Sequence, residues 1–241
     1  MKRLLYAYAA IFTLLHPAAT AQHTDRLAAH WEGGVQLPER EMHMVVDLAQ
    51  NARGEWIGSV SLPDGKIVDA PLRDLSVRQS AVHFAIGFQH DSFEGKLSED
   101  GGGIEGSATS DRGSAPFHLK RTGPADVKLP PASTPLAKEL EGNWQGVLEL
   151  AGQPFRALLR LSHDANGLGV GTLVSVDQDG QEFPITTITQ NGRGLDFEIR
   201  VIRAKYTGAL NAAGTEISGE YAVDAVKLPL VFKRAAESPK R

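Results

Sequence analysis

Ala29-His30-Trp31-Glu32-Gly33 and Gly142-Asn143-Trp144-Gln145-Gly146 are two versions of one stretch, and the spacing between them decides the fold. Their tryptophans lie 113 residues apart (144 − 31), and the same offset pairs Gly54 with Gly167, Gly58 with Gly171, Pro71 with Pro184 and Phe84 with Phe197. It continues through Gly95 and Gly208, Gly106 and Gly219, and Pro116 and Pro229, to Lys120-Arg121 and Lys233-Arg234. No gap is needed, and about twenty of some ninety positions are identical. One register kept this long marks an internal duplication.

Within the second copy, apolar and polar residues alternate with the period of a half-buried strand. Trp144, Gly146, Leu148 and Leu150 share a face, as do Phe155, Ala157, Leu159 and Leu161. With Val170–Val174, Pro184–Thr189, Phe197–Val201, Tyr206–Leu210, Ile217–Tyr221 and Leu228–Phe232, the count is eight strands. Between them stand Ala151-Gly152, Asp164–Gly167, Asp179-Gly180, Asn191-Gly192 and Asn211–Gly214, residues that accept the left-handed backbone of hairpins. The pattern predicts an all-β chain of two tandem eight-stranded antiparallel up-and-down barrels, since closing a meander removes its edges. A two-layer sandwich is the alternative.

Closure carries a further expectation. The last strand of a closed meander returns beside the first, which sets Arg121 against Trp31 and Arg234 against Trp144. By parity both members of each pair point inward, so each guanidinium can lie across an indole at a barrel mouth.

Ahead of the first copy, Lys2-Arg3, the apolar run Leu4–Leu15 and Ala19-Thr20-Ala21 read as a cleavable export signal over residues 1–21, too short to span a bilayer. The first repeat then occupies residues 22–121, and 122–135 is a stiff, exposed linker carrying Pro124, Pro130, Pro131 and Pro135. The second repeat takes 136–234 and the tail 235–241. Thr134-Pro135 predicts a short capped helix through Leu140. An exported chain belongs to the periplasm or the cell exterior.

Removing Lys2 and Arg3 leaves 23 basic residues against 29 acidic ones, a charge of −6 with no footprint for nucleic acid. Cysteine is absent, which excludes disulfides, thiolate catalysis and a lipid-modified N-terminal cysteine.

Gly142-Asn143-Trp144 with a terminal Arg resembles the Gly-x-Trp and Arg features of lipocalins and the wider calycin barrels. The run Leu140–Arg234 resembles the small β-domain that precedes the catalytic domain of some secreted bacterial α/β-hydrolases. The matching residues include Trp144-x-Gly146, Asp164-x-x-Gly167, Val176-Asp177-Gln178, Tyr206-x-Gly208 and Leu228-Pro229-Leu230. That resemblance implies an exported accessory fold and no activity, because the hydrolase domain and its Gly-x-Ser-x-Gly elbow are missing.

No catalytic, metal or cofactor site emerges. His43, His83 and His118 are out of phase with the inward residues, and His30 and His90 complete no ligand set. Asp177–Gly180 lacks the remaining ligands of a calcium loop, and Gly101–Gly103 lacks the helix of a phosphate loop. Asp196 with Glu198, and Glu216 with Glu220, lie on wet faces. The inward glycines Gly146, Gly208 and Gly219 (Gly33, Gly95 and Gly106 in the first copy) have two explanations. They admit a neighbouring ring in a filled barrel, or they leave a small apolar cavity. Such a cavity would be lined by Trp144, Phe197, Tyr206 and Tyr221, with Trp31, Phe84 and Phe93 as counterparts. The expected function is therefore a non-catalytic binding module for a small apolar ligand or an envelope partner. A structural or interaction module with solid cores is the alternative, and an enzyme of unknown type a weaker one.

Overall fold

A computed structural model describes residues 26–87, 91–150 and 152–235. The expected export signal (residues 1–21), His90 and residues 236–241 of the tail lie outside the described residues. The first sheet runs β1 (Ala29–Gln36), β2 (Glu41–Gln50), β3 (Trp56–Leu62), β4 (Ile67–Pro71), β5 (Arg73–Arg78), β6 (Ala81–Ala85), β7 (Ser92–Leu97), β8 (Gly103–Ser110) and β9 (Gly113–Gly123). The second runs β10 (Gly142–Leu150), β11 (Gln153–His163), β12 (Gly169–Ser175), β13 (Gln181–Pro184), β14 (Thr187–Asn191), β15 (Gly194–Ile199), β16 (Ala204–Leu210), β17 (Glu216–Val223) and β18 (Val226–Arg234). All pairings are antiparallel, and in each sheet the last strand pairs with the first, as closure requires.

Each sheet has nine strands rather than the eight expected. The fourth strand of the meander is broken, which is why Pro184–Thr189 is not one strand. Its first half, β13, pairs with β12, and its second half, β14, pairs with β15. The change of partner falls between two adjacent residues. Ile185 N–H donates back to Gly171 O (2.9 Å), and Thr186 N–H donates forward to Glu198 O (2.7 Å). The first barrel breaks at the same place, where Leu72 N–H donates to Gly58 O (2.9 Å).

Beyond the break, β12 and β14 diverge and leave a seam, which the linker fills. Thr134 N–H donates to Ile188 O and Gly169 N–H donates to Thr134 O (both 2.9 Å), while Thr134 Oγ1 accepts from Gln190 N–H (2.7 Å). Ser133 Oγ accepts from Ile188 N–H (3.0 Å), and Pro135 bridges Leu168. The predicted helix is therefore absent: Thr134 is held extended, and only a turn at Lys138–Leu140 follows. Nor is the linker free at its other end. β9 runs on to Gly123, Asp126 N–H donates to Asp47 (2.8 Å) and Lys128 N–H to Ser59 Oγ (3.3 Å).

The alternating sequence works as read. In β16, Ala204, Tyr206 and Leu210 are buried while Lys205, Thr207 and Ala209 face water. Phe84 stacks on Phe93 (centroids 4.8 Å apart) and Phe117 meets Phe93 edge-on (5.6 Å), which fills the first barrel's middle. Phe197, Tyr206 and Phe232 repeat the motif at 5.1 and 5.3 Å. One expected strand residue is displaced: β15 stops at Ile199, and Val201 sits in a single 3-10 turn, Arg200–Ile202, ended by Arg203 at φ 53°. That turn meets the first barrel. Val201 is buried beside Gly87, Arg200 Nη1 donates to Asp69 O (2.7 Å), and Arg203 Nη1 donates to Gly65 O.

Candidate functional site

The two ends of the second barrel differ. One is plugged. Trp144 is fully buried, its Nε1 donates to Leu140 O (2.9 Å), and the Arg234 guanidinium lies 4.2 Å from the ring centre. Arg234 also donates to the carbonyls of Glu141 (2.9 Å), Gly214 (3.2 Å) and Glu139. In the first barrel Trp31 pairs with Arg121 in register, but more loosely, at 5.8 Å with one bond to Ala28 O (2.9 Å).

The opposite end, ringed by the β12–β13 and β17–β18 hairpins and the Arg200–Ile202 turn, holds an apolar cavity of about 500 Å³. Leu148, Phe155 and Ala157 form its β10–β11 wall, and Leu173 and Phe183 its β12–β13 wall. Tyr221, Val223 and Leu228 close it from β17–β18, and Ile202 from the turn. Pockets of this size and apolarity are the usual form of small-molecule sites.

Comparing the copies shows that the lining differs in both directions: Tyr221, Phe183 and Leu228 stand where the first copy has Ala108, Ala70 and Ala115, whereas Ala157 is the smaller partner of its pair. The 113-residue offset sets Ala157 against Met44 and Phe155 against Met42. Met44 is 1% exposed, so the first barrel fills with a long side chain the position where the second has a methyl group.

Of the aromatic residues expected to line one cavity, only Tyr221 does so. Trp144, Phe197 and Tyr206 are packed in the filled middle and plugged end, as are Trp31, Phe84 and Phe93 in the first barrel. The glycines explain the filling. The Tyr206 ring lies over Gly208, and its hydroxyl crowds Gly219, where any Cβ would collide. From there the hydroxyl reaches Ile217 O (3.1 Å) and Leu230 O (3.2 Å). Tyr221 is the cross-strand partner of Tyr206 and almost as buried, at 8% against 1% exposed. Its hydroxyl has no hydrogen-bond partner among the described residues, and burial pushes it up to about 12.

The charges at the rim are paired with one another. Arg156 Nε and Nη2 donate to Asp177 Oδ1 (2.9 and 2.5 Å), which holds that carboxyl below its ordinary range. Arg203 Nε donates to Asp224 Oδ1 (2.6 Å), with the same effect on Asp224.

The remaining candidates disperse. Each described histidine of the repeats has its own carboxylate: His30 with Asp47 (2.8 Å), His43 with Asp64 (3.4 Å), His83 with Glu94 (2.6 Å), His118 with Glu41 (3.5 Å) and His163 with Glu141 (2.7 Å). Asp179 and Gly180 have φ of 54° and 71°, as a hairpin turn requires, and Gly101 has φ 72°. Glu198 faces Lys205 (3.7 Å), and Glu220 faces Lys227 (2.9 Å). No helix among the described residues is long and apolar enough to cross a membrane.

No family model matches the chain, and no curated protein does. Among solved structures it is similar to a "putative outer membrane protein" from Bacteroides fragilis NCTC 9343, at 9% identity over 88% of this chain and 100% of that one, with a TM-score of 0.27. It is also similar to a protein of unknown function of the DUF3598 family from Nostoc punctiforme PCC 73102, at 12% identity over 90% of this chain and 99% of that one, with a TM-score of 0.29. Superpositions this loose carry no argument about function.

Proposed function

We propose that the protein is an exported, non-catalytic binding module whose second barrel holds one small apolar molecule at its open end. The observation that carries this reading is the cavity of about 500 Å³ behind Ala157, walled by Phe155, Leu173, Phe183 and Leu228. A barrel with no ligand to hold gains stability by filling such a space, and at the position of Ala157 the first copy buries the longer Met44. Residues 1–21 supply the export signal, and the resemblance to the β-domain of secreted hydrolases fits an accessory role outside the cytoplasm.

The test uses N-phenyl-1-naphthylamine, an uncharged dye that brightens in apolar surroundings, titrated into the chain from Gln22 onward. Saturable one-site binding is expected, weakened at least about tenfold by Ala157→Met, which installs the first barrel's own side chain. Equal dye binding by both proteins, or none by either, would overturn the proposal.

A further inference from the structure

We infer that the molecule held in the second barrel is uncharged and carries one hydrogen-bond-accepting oxygen, which meets the Tyr221 hydroxyl inside the cavity. The inference rests on the binding reading above and adds the chemistry of the ligand. Tyr221 and Tyr206 stand opposite each other on β17 and β16, yet their hydroxyls fare differently. That of Tyr206 meets two backbone carbonyls, whereas that of Tyr221, on a residue only 8% exposed, meets none among the described residues. The Tyr221 hydroxyl oxygen keeps some accessible surface, so a ligand that covers it without supplying an acceptor would leave it unsatisfied, and a ligand oxygen avoids that cost. Because burial holds the phenol protonated, it enters the cavity as a donor.

The walls set the rest of the ligand. They are mostly hydrocarbon, with Ser175 and Gln178 the uncharged polar residues besides Tyr221, so the body is apolar. A volume of about 500 Å³ takes on the order of fifteen non-hydrogen atoms, at ~30 Å³ for each water-sized group. A charged head at the mouth meets charges already paired, Arg156 with Asp177 and Asp224 with Arg203, and the walls behind them offer no other charge. An ionised group would lose its hydration there without compensation. Ketones, esters and lactones on an aromatic or branched aliphatic body fit; carboxylates and ammonium ions do not.

The test is a thermodynamic cycle read by displacement of N-phenyl-1-naphthylamine. Two competitors with the same carbon skeleton, 2-acetylnaphthalene and 2-ethylnaphthalene, which lacks the carbonyl oxygen, are compared on the wild-type chain and on Tyr221→Phe. Removing the hydroxyl should weaken the acetyl compound relative to the ethyl compound by roughly 3- to 10-fold, the worth of one hydrogen bond. Unchanged binding of 2-ethylnaphthalene reports that the variant is folded. The anion 2-naphthoate should compete at least about tenfold less well than the ketone. If the dye binds and Ala157→Met abolishes its binding, but the cycle closes within about twofold or the anion competes equally, this inference fails while the binding reading stands. If the dye does not bind, or binds Ala157→Met unchanged, the binding reading fails first.

Discussion

Replacing Arg234 by Lys should destabilise the second barrel far more than Arg121→Lys destabilises the first, although the two arginines are equivalent in the repeat. Both substitutions keep the charge and the aliphatic stem. What Lys cannot reproduce is the planar fork. Arg234 donates to three carbonyls, of Glu141, Gly214 and Glu139, and covers Trp144 at 4.2 Å. An ammonium group can keep about one of those bonds. Losing two, at about 0.5–1 kcal/mol each in this half-wet position, and a cation–π contact of similar size gives about 2 kcal/mol. Arg121 has one such bond, to Ala28, and its guanidinium is 5.8 Å from Trp31, near the limit of the interaction. Its substitution should cost about 0.5 kcal/mol. Urea unfolding, with hydrogen-exchange mass spectrometry to assign each barrel, measures both. With a slope of about 1–1.5 kcal/mol/M for a unit of this size, the second barrel's midpoint should fall by about 1.5 M in Arg234→Lys. Equal shifts for the two variants would refute the argument that the fork, rather than the charge, closes the barrel.

Tyr206→Phe removes a hydroxyl shared by Ile217 and Leu230 and should cost about 1–2 kcal/mol in the same unfolding assay, with dye binding at the open end unchanged. Thr134→Val deletes the acceptor of Gln190 N–H at the seam, so exchange at Gln190 should speed up by roughly tenfold while the amides of β17 are unaffected. His30 has its pKa raised, first by the hydrogen bond that its ring donates to the Asp47 carboxylate, with Glu32 adding to the effect and partial burial opposing it. The folded form then holds the proton more tightly than the unfolded one. The resulting stability is fully present below the unfolded value of about 6.5 and is lost as pH rises through the raised folded value. Wild type should therefore exceed His30→Gln in stability at pH 5.5 by more than at pH 8.5; a difference that does not vary with pH would rule the pair out as a contributor.

The duplication and the strand faces were legible because both are periodic. The offset of 113 needs only the two copies, and inward parity alone sets Trp144 against Arg234. Depth along the barrel axis was not legible. Tyr206 and Tyr221 share a parity and even a register position, but one leans over Gly208 into the filled middle and the other borders the cavity. What the repeat does show is where the copies differ: Ala157 stands opposite Met44, and Tyr221, Phe183 and Leu228 opposite Ala108, Ala70 and Ala115, all of them at the open end. The break after Pro184 escaped because Ile185 and Thr186 are good strand residues, and nothing local says that they bond in opposite directions. Val201 was misplaced for a similar reason: the turn depends on Arg203 adopting φ 53°, a conformation its residue type does not advertise.

The pinned linker bears on where this chain can be cut or lengthened. Asp126 and Lys128 are held by the first barrel, and the stretch from Pro131 through Leu136 belongs to the second through Thr187, Ile188, Gln190 and Gly167. Ownership changes hands at Leu129 and Pro130. A glycine inserted there should be silent, whereas the same insertion at Thr134 would shift a strand register and unstitch a barrel. By the same logic an isolated second unit has its natural start near Pro131, not at Gly142 where its sheet begins. A fragment cut at the sheet boundary would carry an open seam with unbonded main-chain groups at Gly169, Ile188 and Gln190, an edge ready to pair with a neighbouring copy.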